Sequence, residues 1–157
     1  MKTITKDLLG ELFKEMKTSP RNRAHHSFRG TYTDASLFLI VGNKKTYWPP
    51  HKHEGRWETS VLYAGKLGVL TFDDFGNIKE KIILDHKNAF AVEFNPNELH
   101  SFVAMSPKVV FMDCKQGPYN PQTDKVHPDW APAENSAEAT SYLKKLRYQF
   151  AESEQKT

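Results

Sequence analysis

The sequence predicts a mainly β protein, an antiparallel sandwich or barrel of short strands with one helix near each end. Three observations predict it. Short apolar runs rich in Val, Ile, Leu and Phe recur from about residue 36 to residue 115. Turn-forming residues separate them at each step, and helical apolar spacing is confined to the two terminal stretches.

The first helix is expected over about residues 5–17. Thr5 can cap it, Leu8, Leu9, Leu12, Phe13 and Met16 recur at helical spacing, and Pro20 stops it. The strand candidates are 37–41, 60–63, 67–72, 78–84, 90–94, 101–105 and 109–114. Between them lie Gly42-Asn43, Glu54-Gly55, Ala64-Gly65, Asp73 to Asn77, Asn95-Pro96-Asn97 and Ser106-Pro107, all turn chemistry. Residues 116–133 are rich in Pro and polar side chains and read as an irregular strap. A second helix is expected over about 136–152, with Asn135 and Glu138 as a capping-box-like start and Tyr142, Leu143, Leu146 and Phe150 as its apolar stripe.

Composition narrows the function classes. A chain of 157 residues with 38% hydrophobic residues suits a single domain over 1–157 with one core. Its formal charge is +3, and no Lys/Arg run has the length of a basic arm, so no nucleic-acid partner is expected. Cys114 is the only cysteine, which excludes an internal disulfide and suits a reducing compartment. The opening MKTITKDLLGELFKEMK lacks the unbroken apolar stretch of a signal peptide, and the longest apolar run, Ala35 to Val41, is too short to span a bilayer. A cytoplasmic protein without a membrane partner is expected.

The segment most informative about chemistry is Pro49-Pro50-His51-Lys52-His53-Glu54-Gly55-Arg56-Trp57-Glu58. His51 and His53 are two apart, so both imidazoles leave one face of an extended strand. Glu58 sits five further on, an odd offset that the Glu54-Gly55 turn can reset. Asn95-Pro96-Asn97-Glu98-Leu99-His100 brings in another imidazole at the start of a later strand. Three neutral imidazoles and a carboxylate make an N3O set for one divalent transition metal ion: Fe, Mn, Ni, Co, Cu or Zn.

His51-x-His53-(x4)-Glu58-(x6)-Gly65 resembles the first cupin motif position by position. Residues 95–100 resemble the second, except that Asn97 replaces the usual Gly and the Pro lies one residue later than expected. Asn tolerates the left-handed conformation better than most residues, so the turn can survive. Ser19-Pro20-Arg21-Asn22-Arg23, Trp57-Glu58, FDDFGNI, Gly117-Pro118-Tyr119 with Asp124-Lys125, and Trp130-Ala131-Pro132 are similar to the WbuC family of cupin-fold metalloproteins. That resemblance implies a cupin (double-stranded β-helix, jelly-roll) barrel with metal in its mouth. It also implies an association with bacterial surface-polysaccharide (O-antigen) biosynthesis, and it implies no particular reaction. The chain departs from the pattern at Ala24-His25-His26-Ser27-Phe28-Arg29, where Asn and His are expected after the paired arginines.

Arg21, Arg23 and His25 are candidate contacts for an anionic or sugar-derived ligand, since guanidinium groups bind oxyanions with paired hydrogen bonds. Arg29 and His26 read as solvated. Trp57 and Tyr119 complete the substrate-binding candidates, Trp57 sharing with Tyr47 and Trp48 the role of an apolar collar or of ordinary rim packing. His86 and His127 read as surface residues, Lys52 as solvated. Asp113 reads as a strand-end residue, with a hydrogen bond to a ligand imidazole as the alternative. Glu98 and Tyr119 are candidate proton carriers. The expected function is a metal enzyme with isomerase- or epimerase-like or Fe(II) oxygenase-like chemistry on a small polar molecule. The alternatives are a non-catalytic metal-dependent binding module and a barrel without metal. Cupin-like barrels often pair through sheet edges, which makes a homodimer an option that the sequence itself does not show.

Overall fold

A computed structural model describes residues 3–28 and 34–151. Helix α1 (Lys6–Thr18) starts where the Leu8 N–H donates to Thr5 Oγ1 at 3.1 Å, so the cap expected from sequence is made. Eight strands follow among the described residues: β1 (Arg23–Ser27), β2 (Ala35–Gly42), β3 (Glu58–Ala64), β4 (Leu67–Phe72), β5 (Ile78–Leu84), β6 (Ala91–Phe94), β7 (Leu99–Ala104) and β8 (Val109–Gln116). They pair antiparallel in two sheets, ordered β1-β2-β8-β3-β6 and β5-β4-β7.

Side-chain alternation divides each sheet into an inner and an outer face. Trp48, Leu62, Val69, Phe94, Phe102 and Phe111 pack between the sheets. On the outer face of the larger sheet, Leu12 and Met16 of α1 cover Ala24, Leu39, Val41 and Val110. Helix α2 (Ala139–Tyr148) covers the smaller sheet, with Leu143, Leu146 and the following Phe150 against Leu70, Val103 and Met105. A Cβ on Gly68 would meet the Phe150 ring at 2.7 Å, so the bare backbone there admits this close approach. No helix of the described residues is long and apolar enough to cross a membrane.

Two sequence expectations need correction. Residues 23–27, absent from the strand candidates, form β1, which pairs with β2 from Arg23↔Gly42 to Ser27↔Phe38. Its sequence, RAHHS, hides it because only Ala24 is buried and the strand is held by its backbone ladder. The capping box at Asn135 and Glu138 does not form: Glu138 is already helical (φ −78°, ψ −21°) and its side chain caps nothing. Turn bonds from the Ser136 N–H to the Ala133 carbonyl and from the Ala139 N–H to the Ser136 carbonyl serve the helix start instead. Arg29 and Glu152 lie outside the described residues.

Between β8 and α2 the chain runs as an irregular strap across one end of the barrel. Its Val126 pairs with Lys52 through two backbone hydrogen bonds of 3.0 Å, fixing the strap against the His51–His53 segment.

Candidate metal centre and the barrel mouth

His51 and His100 face each other across a two-residue bridge: the His51 N–H donates to the His100 carbonyl at 3.0 Å and the His100 N–H returns the bond at 2.9 Å. His53 follows on the same face, and its carbonyl accepts from the Asn97 N–H at 3.1 Å. Gly55 at φ +64° turns the chain, so that Glu58 enters β3 pointing inward despite its odd offset. Asn97 takes the left-handed conformation (φ +68°), and its Oδ1 accepts from the Gly55 N–H at 3.1 Å. The residue that stands in for the motif glycine therefore also ties the two motif turns together.

The structure brings His51, His53, Glu58 and His100 together: one donor atom from each lies within 4.8 Å of the others, and none is more than 2% exposed. Each imidazole is oriented from behind. His51 Nδ1 meets the Pro49 carbonyl at 2.9 Å, His100 Nδ1 the Glu98 carbonyl at 2.9 Å, and His53 Nδ1 the Asp124 carbonyl. A carbonyl only accepts, so Nδ1 carries the proton and each Nε2 presents a lone pair to the common point.

Two of those lone pairs have no hydrogen to receive. His53 Nε2, His100 Nε2 and Glu58 Oε2 are buried without a hydrogen-bond partner. His53 Nε2 and Glu58 Oε2 face each other at 2.5 Å, a contact that requires a proton or a cation between them. Metal–ligand bonds of about 2.0–2.2 Å place donors roughly 3–4 Å apart, close to the observed spread. The donor set thus fits a divalent transition ion.

Electrostatics favour neutral imidazoles at His51 and His53 and an ionised carboxylate at Glu58. Burial, reinforced by the Lys125 charge, pushes His51 well below the ordinary histidine range, and burial also lowers His53. Burial alone would raise Glu58, but His100, His53 and Lys115 outweigh it and keep the carboxylate ionised.

The sequence reading missed the group behind Glu58. Along β8 the inward alternation places Phe111, Asp113 and Lys115 in the barrel, and Lys115 is 2% exposed. Its Nζ lies 3.6 Å from Glu58 Oε2, 3.3 Å from Asp113 Oδ2 and 3.2 Å from Asp124 Oδ2. Burial opposes its charge, yet these carboxylates raise its pKa. Asp113 is not at a strand end: β8 continues through Gln116, and its Oδ1 accepts from Ser60 Oγ at 3.0 Å. Burial and the Glu58 charge push Asp113 up to about 7. Asp124 also receives Arg56, at 3.4 Å. The signal available in the sequence was the even spacing Phe111, Asp113, Lys115.

Above the cluster opens a mouth of about 480 Å³, continuous with a lobe of about 230 Å³ through shared walls at Arg21, Arg23, Trp48, His51, Lys125 and His127. The larger volume falls within the range of roughly 300–1,000 Å³ usual for small-molecule sites. Of the substrate-binding candidates, Arg21, Arg23, His25 and Tyr119 line it, with Trp48, Phe102 and Phe111 as its apolar wall. Trp57 does not line it: with its neighbour Glu58 turned inward, Trp57 faces outward and is 36% exposed. Tyr47 turns to the smaller sheet's helix side, where its hydroxyl donates to the Pro132 carbonyl at 3.0 Å. His127, expected as a surface residue, is exposed but stands on the rim, its Nδ1 2.9 Å from the Pro50 carbonyl.

Both rim arginines are engaged by the strap. Arg21 Nε lies 2.9 Å from Glu134 Oε2, and Arg23 Nη1 lies 2.5 Å from Glu134 Oε1 while also donating to the Tyr47 carbonyl at 2.7 Å. Burial brings Arg23 down to about 10. Lys125 is exposed to water yet surrounded by the walls of the mouth, and that enclosure, with Lys115 nearby, lowers its pKa to about 8.

Residues 4–84, just over half of the chain, match the family described as Domain of unknown function (DUF6016). The chain belongs to the DUF6016 family. No curated protein matches this DUF6016 chain. Among solved structures it is similar to the capsular polysaccharide assembling protein CapF from Staphylococcus aureus, with 13% identity and a TM-score of 0.60 over 70% of this chain and 32% of that one. It is similar to KdgF from Halomonas sp., with 17% identity and a TM-score of 0.54 over 67% of this chain and 86% of that one. A recombinant oxalate oxidase in complex with glycolate shares 14% identity at a TM-score of 0.56, over 86% of this chain and 75% of that one. The DUF6016 chain spans about a third of the CapF length. These likenesses show the fold: the two sheets form a cupin barrel.

Proposed function

We propose that this protein is a mononuclear, divalent-metal-dependent enzyme acting on a small, anionic or sugar-derived molecule, with the surface-polysaccharide association that the WbuC resemblance implies. One observation carries the reading. Three backbone-oriented imidazoles and an ionised carboxylate converge, buried, at the base of a mouth walled by Arg21, Arg23 and Lys125. The likeness to CapF, a capsular polysaccharide assembling protein, supports the surface-polysaccharide side of the reading, and the likeness to an oxalate oxidase supports catalysis on small oxygen-rich molecules.

His51, His53, Glu58 and His100 would hold the ion. When bound there, a divalent ion supplies Lewis acidity toward a substrate oxygen, the chemistry needed for isomerisation or epimerisation. The rest falls to the chain itself. Trp48, Phe102 and Phe111 exclude water from one wall, and the cationic rim attracts an anion. Glu98, a sequence candidate for proton carrier, is occupied elsewhere: its carboxylate accepts from the Asn95 N–H at 2.9 Å, while its carbonyl orients His100. Tyr119 stands in the mouth, edge-on to Phe38 with ring centroids 5.3 Å apart, and is the better placed of the two.

Metal analysis after reconstitution, on wild type and on His53→Ala and His100→Ala, tests the ligand set. Wild type should retain one equivalent and both variants close to none, with far-UV circular dichroism unchanged; stoichiometric metal in both variants would refute the assignment. Turnover against phosphosugars and nucleotide sugars then tests catalysis. Tight, metal-dependent binding without turnover would instead make the barrel a non-catalytic binding module.

A further inference from the structure

The cations around the mouth are not equivalent. Arg21 and Arg23 are both committed to Glu134, and Lys115 to three carboxylates. Lys125 differs. It lines both lobes of the mouth, and among the described residues no carboxylate lies within ion-pair distance of its ammonium. Its position is fixed from below, because the next residue, Val126, is clamped to Lys52 by paired backbone bonds of 3.0 Å. His51 of the histidine cluster lines the same two lobes, so Lys125 and the cluster share one cavity.

We infer that Lys125 is the residue that recognises the anionic end of the ligand, which belongs to the class of small oxyanions, carboxylate or phosphate, that reach from the histidine cluster to the strap. The inference rests on the reading that the mouth takes an anionic molecule. An uncompensated ammonium facing a site built for a divalent cation leaves two like charges across one cavity, and an oxyanion between them is the complementary occupant. The arginines, already paired to Glu134, have less to gain from such a ligand than Lys125 does.

The test is equilibrium binding of inorganic phosphate and of glycolate, followed by tryptophan fluorescence, since Trp48 lines the mouth, with metal content measured on the same samples. Wild type is compared with Lys125→Met, Lys125→Gln and Lys125→Arg. Both neutral variants should bind the preferred probe about ten- to a hundredfold more weakly, the loss expected for one charged hydrogen bond, while Lys125→Arg stays near wild type. Preference for phosphate or for glycolate identifies the kind of oxyanion. Unchanged metal content is expected throughout, because Lys125 is not one of the four donors. Neutral variants that bind like wild type overturn the inference, as does a wild type that binds neither probe. A wild type without metal that still binds phosphate through Lys125 overturns the metal reading and leaves this one standing.

Discussion

Lys115→Met keeps most of the side chain's volume and deletes the charge that sits among Glu58, Asp113 and Asp124 at 3.2–3.6 Å. Removing one partner of a buried ion pair typically costs about 3–5 kcal/mol, because the remaining charge is left uncompensated. The structure argues for the lower end. Asp124 keeps Arg56, Glu58 shares a proton with His53 across their 2.5 Å contact once the metal is stripped, and Asp113 keeps the Ser60 hydroxyl. Asp113 is the carboxylate left without a cation, so a loss of about 3 kcal/mol is expected at pH 8. The loss should shrink in acid. Asp113 is raised to about 7 in the folded protein, above the unfolded value of about 3.9, so between those values the folded state binds the extra proton and stability falls as pH rises. Without Lys115 its folded pKa moves higher still, and the variant pays over a wider window. At pH 5.5 Asp113 is neutral in the variant, and the deficit should narrow by roughly 1–2 kcal/mol, about 1.4 kcal/mol for each unit of pKa change. Urea unfolding of metal-stripped wild type and variant at both pH values measures this. A variant within about 0.5 kcal/mol of wild type at pH 8, or an equal deficit at both pH values, refutes the reasoning.

Asn97 offers a test of the second motif turn. At φ +68° Asn97→Ala should cost about 1–2 kcal/mol from backbone strain, with the bond to the Gly55 N–H lost in addition, whereas Asn97→Gly loses only that bond; thermal unfolding should rank the variants wild type, Gly, Ala. Metal retention should resist acid, because burial holds His51 and His53 below the usual histidine range, so protons compete for these imidazoles only at lower pH. Loading followed by equilibrium dialysis should show retention flat from pH 8 to about 6.5, the ordinary histidine pKa, and falling below it. A half-point above pH 7 would contradict this.

The convergence of the four donor side chains was legible because their spacing is local: His51 and His53 on one face, a glycine turn before Glu58, and a turn before His100. The strands were legible for the same reason, their periodicity being a property of consecutive residues. Lys115 was not, since a lysine near a strand end ordinarily points to water, and only the pairing of β8 between β2 and β3 turns it inward. β1 stayed hidden because its order comes from a neighbouring backbone and not from its own side chains. Trp57 misled because adjacency to Glu58 in sequence, read without the alternation, suggests a shared cavity when alternation sends the two apart. The commitment of Arg21 and Arg23 to Glu134 spans more than a hundred positions and left no local trace.

The strap does several jobs with one short run of chain. Its Asp124 carbonyl orients His53, its Lys125 faces the mouth, and its Glu134 occupies the rim arginines. On the proposed reading, exchanging this stretch to alter what the protein accepts would therefore also retune how firmly an ion is held. Selectivity and metal affinity would then be inherited together, and variants that diversify one would need compensating changes on the barrel wall to preserve the other.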